Sequence, residues 1–167
     1  MDLTVIIPAR NEEFLSRTID DLLQHIEADT EIIAILDGYL PEPKLTQTDP
    51  RLTVIYHPES VGQRAGSNDA AKIARGKYIM KIDAHCAFDQ GFDRKMLEAF
   101  KEVGDDVTMV PIMRNLHAFD WVCPKGHRRY QGPSGKCNEC GEPTTKDVVW
   151  IPKTNPSSKA YRFDKTL

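Results

Sequence analysis

Short apolar runs alternate with stretches of helical periodicity along the first ~112 residues. Residues 3–7 form a β-branched apolar run that stops at Pro8, which predicts a buried strand. Asn11 is placed to cap a helix whose first turn carries Glu12 and Glu13, where negative charge is favourable. Leu15, Ile19, Leu22, Leu23 and Ile26 then give that helix one apolar stripe. Residues 31–36 predict a second strand, ended by Asp37-Gly38. A proline-rich loop over 39–50 leads to a third strand at 52–56. Residues 61–74, rich in alanine, read as a helix closed by Gly76. Residues 78–82 form a fourth strand that runs directly into Asp83-Ala84-His85. Phe92, Met96, Leu97, Phe100 and Val103 mark a third helix, and 107–112 reads as one more strand.

Strands alternating with helices predict an α/β layer around a mostly parallel sheet. Ligands of such sheets bind beyond the carboxyl ends of the strands, the edge where Asp37 and Asp83 fall. After about residue 113 the texture changes to Gly, Pro, Lys, Cys and Asn, and only 148–151 looks like a strand. Residues 152–167 lack apolar periodicity and are expected to lie over the surface. The expected organisation is an α/β domain over 1–116, an insert over 117–145, and a strand with its tail over 146–167.

Composition narrows the classes. The 167 residues are 40% hydrophobic and 28% charged, with Lys+Arg 22 against Asp+Glu 25 and a net charge of -3. That balance excludes a broadly basic nucleic-acid coat. No apolar run approaches the ~20 residues of a membrane span, and the start lacks the positive region of a signal peptide. The expectation is a soluble, cytoplasmic protein.

Three of the four cysteines fall close together. Cys123-Pro-Lys-Gly-His127 and Cys137-Asn-Glu-Cys140 supply four soft or borderline ligands from two tight turns. Zn²⁺ favours a tetrahedron of thiolates and imidazoles, and four protein ligands make such a site structural rather than catalytic. Disulfides are the other use of such cysteines, but three leave one unpaired and an intracellular chain disfavours them. Trp121 and Tyr130 are placed to cover a small core there. Lys125, Arg128, Arg129 and Lys136 make the stretch basic, which suits either a solvated turn or a zinc ribbon that grips nucleic acid.

Asp83 and His85 leave the end of their strand together, because residues i and i+2 share a side. A carboxylate plus an imidazole suits Mn²⁺ better than Mg²⁺, and such an ion can bridge the phosphates of a nucleoside diphosphate. The tripeptide alone is equally a polar turn after a strand.

Four ordered motifs give the context. Thr4-Val-Ile-Ile-Pro-Ala-Arg-Asn-Glu-Glu13, Glu31-Ile-Ile-Ala-Ile-Leu-Asp-Gly38, Val61-Gly-Gln-Arg-Ala-Gly-Ser-Asn68 and Asp83-Ala-His-Cys86 together resemble family-2-like glycosyltransferases of the GT-A fold. The Asp-x-His form followed by Cys is similar to that of polypeptide N-acetylgalactosaminyltransferases. The resemblance spans about residues 3–112. It implies a GT-A, Rossmann-like α/β sheet, to which the zinc-ribbon-like stretch is a small insert. It also implies a base pocket lined by Pro8 and Ala9 with Arg10 and Glu12 at its mouth. Asp37 would bind base or ribose, Asn68 would lie on the donor helix, and Asp83 and His85 would hold Mn²⁺ (or Mg²⁺) and the diphosphate. His117 would be a third ligand to that ion.

The chain departs from the family pattern in three places. Leu36 stands where a first aspartate is usual, and Ser67 where an arginine is common, with Arg64 on the same helical face as its substitute. No Glu-Asp pair for a general base follows His85: Asp105-Asp106 precedes a predicted strand, Asp147 is isolated and Asp164 lies in the tail. Retaining enzymes do not need that base. The expected function is metal-dependent transfer of a sugar from a nucleoside diphosphate donor, a UDP-sugar, to an acceptor the sequence does not name. Its rival is a non-catalytic or truncated nucleotide-sugar-binding module whose zinc ribbon docks a protein or nucleic acid. Asp164-Lys-Thr-Leu167 reads as an abrupt end, as in a piece of a longer enzyme.

Overall fold

The β-branched runs of the first hundred residues assemble into one parallel sheet. A computed structural model describes residues 1–156, and the chain divides into a unit of Met1–Val107 and a second that begins at Thr108. In the first unit the elements are β1 (Leu3–Ala9), α1 (Leu15–His25), β2 (Thr30–Asp37), β3 (Leu52–His57), α2 (Gln63–Ile73), β4 (Tyr78–Lys81) and α3 (Phe92–Val103). The strand order is β3-β2-β1-β4, and every neighbouring pair is parallel.

Alternation along the two central strands sends side chains to two different layers. Val5, Ile7, Ile32, Ala34 and Leu36 pack with Leu15, Ile19 and Leu22 of α1 and with Phe92 of α3. Ile6, Ile33 and Ile35 face the other way, onto Ala70 of α2. All eight residues of β2 are buried, as expected of a parallel strand covered on both faces.

Two buried carboxylates tie the layers together. Glu31 accepts hydrogen bonds from the Thr4 hydroxyl at 2.7 Å, the Arg75 amide at 2.6 Å and Arg75 Nε at 2.8 Å. Burial alone would push its carboxyl up, yet these donors hold it below its ordinary value. The Thr4 hydroxyl in turn accepts from the Gly76 amide at 2.9 Å. A Cβ on Gly76 would lie 2.4 Å from the Thr4 nitrogen, so only glycine lets the chain pass here. Asp93, wholly buried at the start of α3, accepts from the amides of Glu27 and Ala28 and from the Thr30 hydroxyl, which pins the α1–β2 turn.

Two expectations for this region need correction. Asn11 does not cap α1. It sits in a left-handed turn at φ 55, which asparagine tolerates, and the helix starts four residues later with Phe14 in the cap position. Residues 107–112 form no strand. Pro111 lacks a ladder donor, and Val110 and Ile112 stand exposed.

The second unit holds an antiparallel sheet of β5 (Arg114–Val122), β6 (Arg128–Tyr130) and β7 (Thr145–Pro156), in the order β6-β5-β7. The expectation of a single strand at 148–151 was too sparse: it marks only the middle of β7. Register shifts between Arg114 and Leu116, and between His117 and Phe119, break the period that a sequence pattern relies on. Of the stretch 152–167 expected to lie over the surface, residues 152–156 belong to β7 and 152–154 are exposed; the remainder lies outside the described residues.

Candidate functional site

The carboxyl edge of the parallel sheet gathers most of the predicted donor-site residues. β1 ends at Ala9, paired with Leu36, and β2 ends at Asp37, paired with His57. Pro8 is half-buried, Ala9 is buried, Arg10 is exposed and Glu12 is half-buried.

Asp37 is only 5% exposed. One of its oxygens accepts from the Val61 amide at 2.7 Å; the other accepts from the Ser60 hydroxyl at 2.8 Å and the Gly62 amide at 3.1 Å. Burial pushes this carboxyl up, but the three donors and the nearby Arg10 charge hold it below its ordinary value. Asp37 therefore fixes the loop that leads into α2. Two oxygens offer about four acceptor positions, so one more donor can be accommodated.

Asp83 and His85 follow β4 directly, and neither is sealed: their side chains are 57% and 55% exposed. Lys81 Nζ lies 2.7 Å from Asp83 Oδ1. That hydrogen bond is the main reason the Asp83 carboxyl sits below its ordinary value, with the Lys81 and His85 charges adding to it. His85 Nδ1 stands 3.4 Å from Glu12 Oε2, so the β1–α1 loop reaches the tip of β4. An aspartate and an imidazole beside a second carboxylate form an oxygen–nitrogen donor set of the kind that suits Mn²⁺.

Beside this tip, Gln63, Arg64, Ser67 and Asn68 of α2 and Lys81 of β4 line an open cleft of about 400 Å³. Arg64 and Asn68 share a helical face at i,i+4 spacing. With two cations and two amides, the lining is chemically suited to an anion. Lys81 lines this cleft although its place in an apolar run does not announce it. The available signal is strand alternation, which puts it on the same side as Asp83.

Cys86 packs against the core, its amide donates to the Thr18 hydroxyl at 3.0 Å, and burial pushes its thiol up. It is built to pack rather than to react.

His117 belongs to the second unit, on β5. Its Nε2 is 2.7 Å from Asp120 Oδ1 and its ring lies against Tyr130, with centroids 4.7 Å apart. Arg128 Nε binds Asp120 Oδ2 at 3.0 Å, and its NH2 binds Asp147 Oδ2 at 2.6 Å. Lys125 faces Glu142 at 3.7 Å, and Arg129 donates to the Pro133 carbonyl at 2.8 Å. Much of the basic character expected of this stretch is thus engaged within it. Cys123, His127, Cys137 and Cys140 converge, with one ligand atom from each lying within 4.8 Å of the others. The Cys137 thiol is lowered to about 6, chiefly because the Glu139 amide donates to it.

The sequence matches the family model described as Glycosyl transferase family 2 over residues 4–147. No curated protein matches the sequence at significance. The crystal structure of S. aureus TarS is similar at a TM-score of 0.50 and 15% identity, over 70% of this chain and 25% of that one. The mannosyltransferase PcManGT from Pyrobaculum calidifontis, in complex with GDP-Man and Mn2+, is similar at 0.51 and 20% identity, over 62% of this chain and 32% of that one. At these identities the likeness is one of fold, the GT-A fold. The chain spans about a quarter to a third of these relatives' length.

Proposed function

Because the chain belongs to glycosyl transferase family 2, we propose that it transfers a sugar from a nucleoside diphosphate donor, a UDP-sugar, with Mn²⁺ held by Asp83 and His85. The observation that carries this reading is the exposed Asp83–His85 tip beside a cleft lined by Arg64, Asn68 and Lys81. When bound, the ion would neutralise charge on the departing diphosphate, an effect worth several kcal/mol in a transition state. Arg64 and Lys81 place positive charge on the same anion, and Asn68 offers it a neutral donor. Pro8 and Ala9 form the floor for the base, with Arg10 and Glu12 at its rim. Asp37 holds residues 60–62 in place and keeps one acceptor position for the base or ribose. The Asp-x-His motif with Cys86 next resembles that of polypeptide N-acetylgalactosaminyltransferases, which supports a UDP-sugar. PcManGT carries GDP-Man with Mn2+, so the base identity is part of the test.

Titration calorimetry of the whole chain with UDP, and in parallel with GDP, is run with and without Mn²⁺. The expected result is a Mn²⁺-dependent heat with UDP that Asp83→Ala abolishes while the circular dichroism stays unchanged. A heat with GDP alone would move the donor to a GDP-sugar. No heat with either nucleotide would overturn the reading.

A further inference from the structure

We infer that Cys123, His127, Cys137 and Cys140 form a closed zinc centre in which His127 binds through Nδ1 and Glu139 steadies its other nitrogen. This assignment is independent of the donor site.

The elementary geometry of zinc supplies the yardstick. Bonds of about 2.3 Å to sulfur and 2.0–2.1 Å to nitrogen, at tetrahedral angles, separate two sulfurs by about 3.8 Å and a sulfur from a nitrogen by about 3.6 Å. In the second unit Cys140 Sγ lies 3.7 Å from Cys123 Sγ. His127 Nδ1 lies 3.6 Å from Cys123 Sγ and 3.6 Å from Cys137 Sγ. These three of the six edges match a zinc tetrahedron, and the other three lie within 4.8 Å. A disulfide needs its sulfurs at about 2.05 Å, and all the cysteines are free.

The backbone is arranged for thiolates. The amides of Glu139 and Cys140 donate toward the Cys137 sulfur, and the Glu142 amide toward the Cys140 sulfur. Each pair of ligands comes from a tight turn closed by a main-chain hydrogen bond, Gly126 to the Cys123 carbonyl and Gly141 to the Cys137 carbonyl, both 2.9 Å. Both glycines adopt positive φ, 84 and 73, which lets the chain double back under the sulfur.

His127 determines the orientation of the site. With Nδ1 turned to the sulfurs, its proton resides on Nε2, and Glu139 Oε2 stands 3.6 Å from that nitrogen. At that separation Glu139 is an ion-pair neighbour of the ring, placed so that a small closure onto Nε2–H would fix the ring and make the coordinating nitrogen more basic. Four protein ligands leave no position for a substrate, so the ion's work is to hold chain to chain. Cys123 lies just beyond the end of β5, His127 just before β6, and Cys137 and Cys140 in the β6–β7 connection. One ion therefore ties both connections of this sheet together.

The test uses the whole chain, expressed in zinc-containing medium and purified without chelator. Native mass spectrometry and elemental analysis are expected to give one zinc per chain. Replacement by Co²⁺ should give the absorption of a tetrahedral sulfur–nitrogen site. Cys137→Ser should lose the metal. Because that variant can also fail to fold, Glu139→Gln serves as the second. Glu139 is exposed, so the variant should keep one zinc per chain while chelator competition shows about tenfold weaker binding. Glu142→Gln, with the same charge change in the same loop, should match wild type. Sub-stoichiometric metal, or iron in place of zinc, would overturn the centre. A Glu139→Gln affinity equal to wild type would overturn the histidine orientation.

Discussion

In the first unit Val5, Ile7, Ile19, Leu22, Ile32 and Ile35 are all fully shielded from water. Beyond Thr108, among the described residues, only Ala118, Asp120, Cys123 and Trp150 are buried, while Val110, Ile112, Met113, Val148 and Ile151 stand exposed. The first unit is thus held by apolar surface removed from water between helices and a parallel sheet. The second relies on polar ties: Arg128 bridging Asp120 and Asp147, His117 on Asp120, and the Cys/His cluster. A fold built on burial tolerates the loss of any one polar group. A small fold built on ligation depends on the ligand set as a whole.

The largest expected effect comes from a chelator. Among the described residues all three helices lie in the first unit, and both tryptophans, Trp121 and Trp150, lie in the second, so two signals report the units separately. If an apparent binding energy of about 10–16 kcal/mol folds the second unit, stripping the metal should change tryptophan emission and leave helical circular dichroism in place. Loss of both signals together would mean that the units do not stand apart energetically.

Next in size is Ile19→Ala. It empties a fully buried position on α1, and a cost of about 2–5 kcal/mol is expected in urea unfolding followed by circular dichroism. Val148→Ala in the second unit, at a position 52% exposed, should stay within about 0.5 kcal/mol by tryptophan emission.

Between these lies Asp93→Asn, expected to cost about 1.5–3 kcal/mol at neutral pH through its charge-assisted hydrogen bonds. Burial pushes the Asp93 carboxyl up, but the donors of Ala28, Glu27, Thr30 and Arg94 bring it below the ordinary aspartate value of 3.8. A lowered folded value means that the stabilisation is complete above the ordinary range and is lost as pH falls through the folded value. The stability gap between wild type and Asp93→Asn should therefore close in acid. A gap that is constant with pH would show that the carboxylate charge is not what matters.

The same contrast explains what was legible beforehand. The seven elements of the first unit were readable to within a few residues because apolar period and element coincide, as in the stripe of Leu15, Ile19 and Leu22. Charged positions were legible as places but not as partners. Asp37 was located at a strand end, yet nothing in the chain near it announced that Ser60, Val61 and Gly62 would surround its carboxylate. Lys81 stands in an apolar run, where a lysine looks like a solvated side chain. In the second unit β5 mixes aromatic, charged and small residues, and two register shifts against β7 scramble its alternation. There the spacing of Cys123, His127, Cys137 and Cys140 carried the information that hydrophobicity did not.

One of the two central strands of the first unit is also the earliest of its four. Leu3–Ala9 lies between β2 and β4, and Leu3 pairs with Tyr78. On a ribosome this strand is made before the other three of its sheet and must wait for a distant segment before its second flank is closed, a contact that carries a long loop-closure cost. Until Tyr78–Lys81 has been synthesised, a β-branched ribbon with an open row of amides and carbonyls faces the surroundings. Delivery of β4 thus closes the second flank of β1 and leaves the shorter Tyr78–Lys81 as the outer edge on that side.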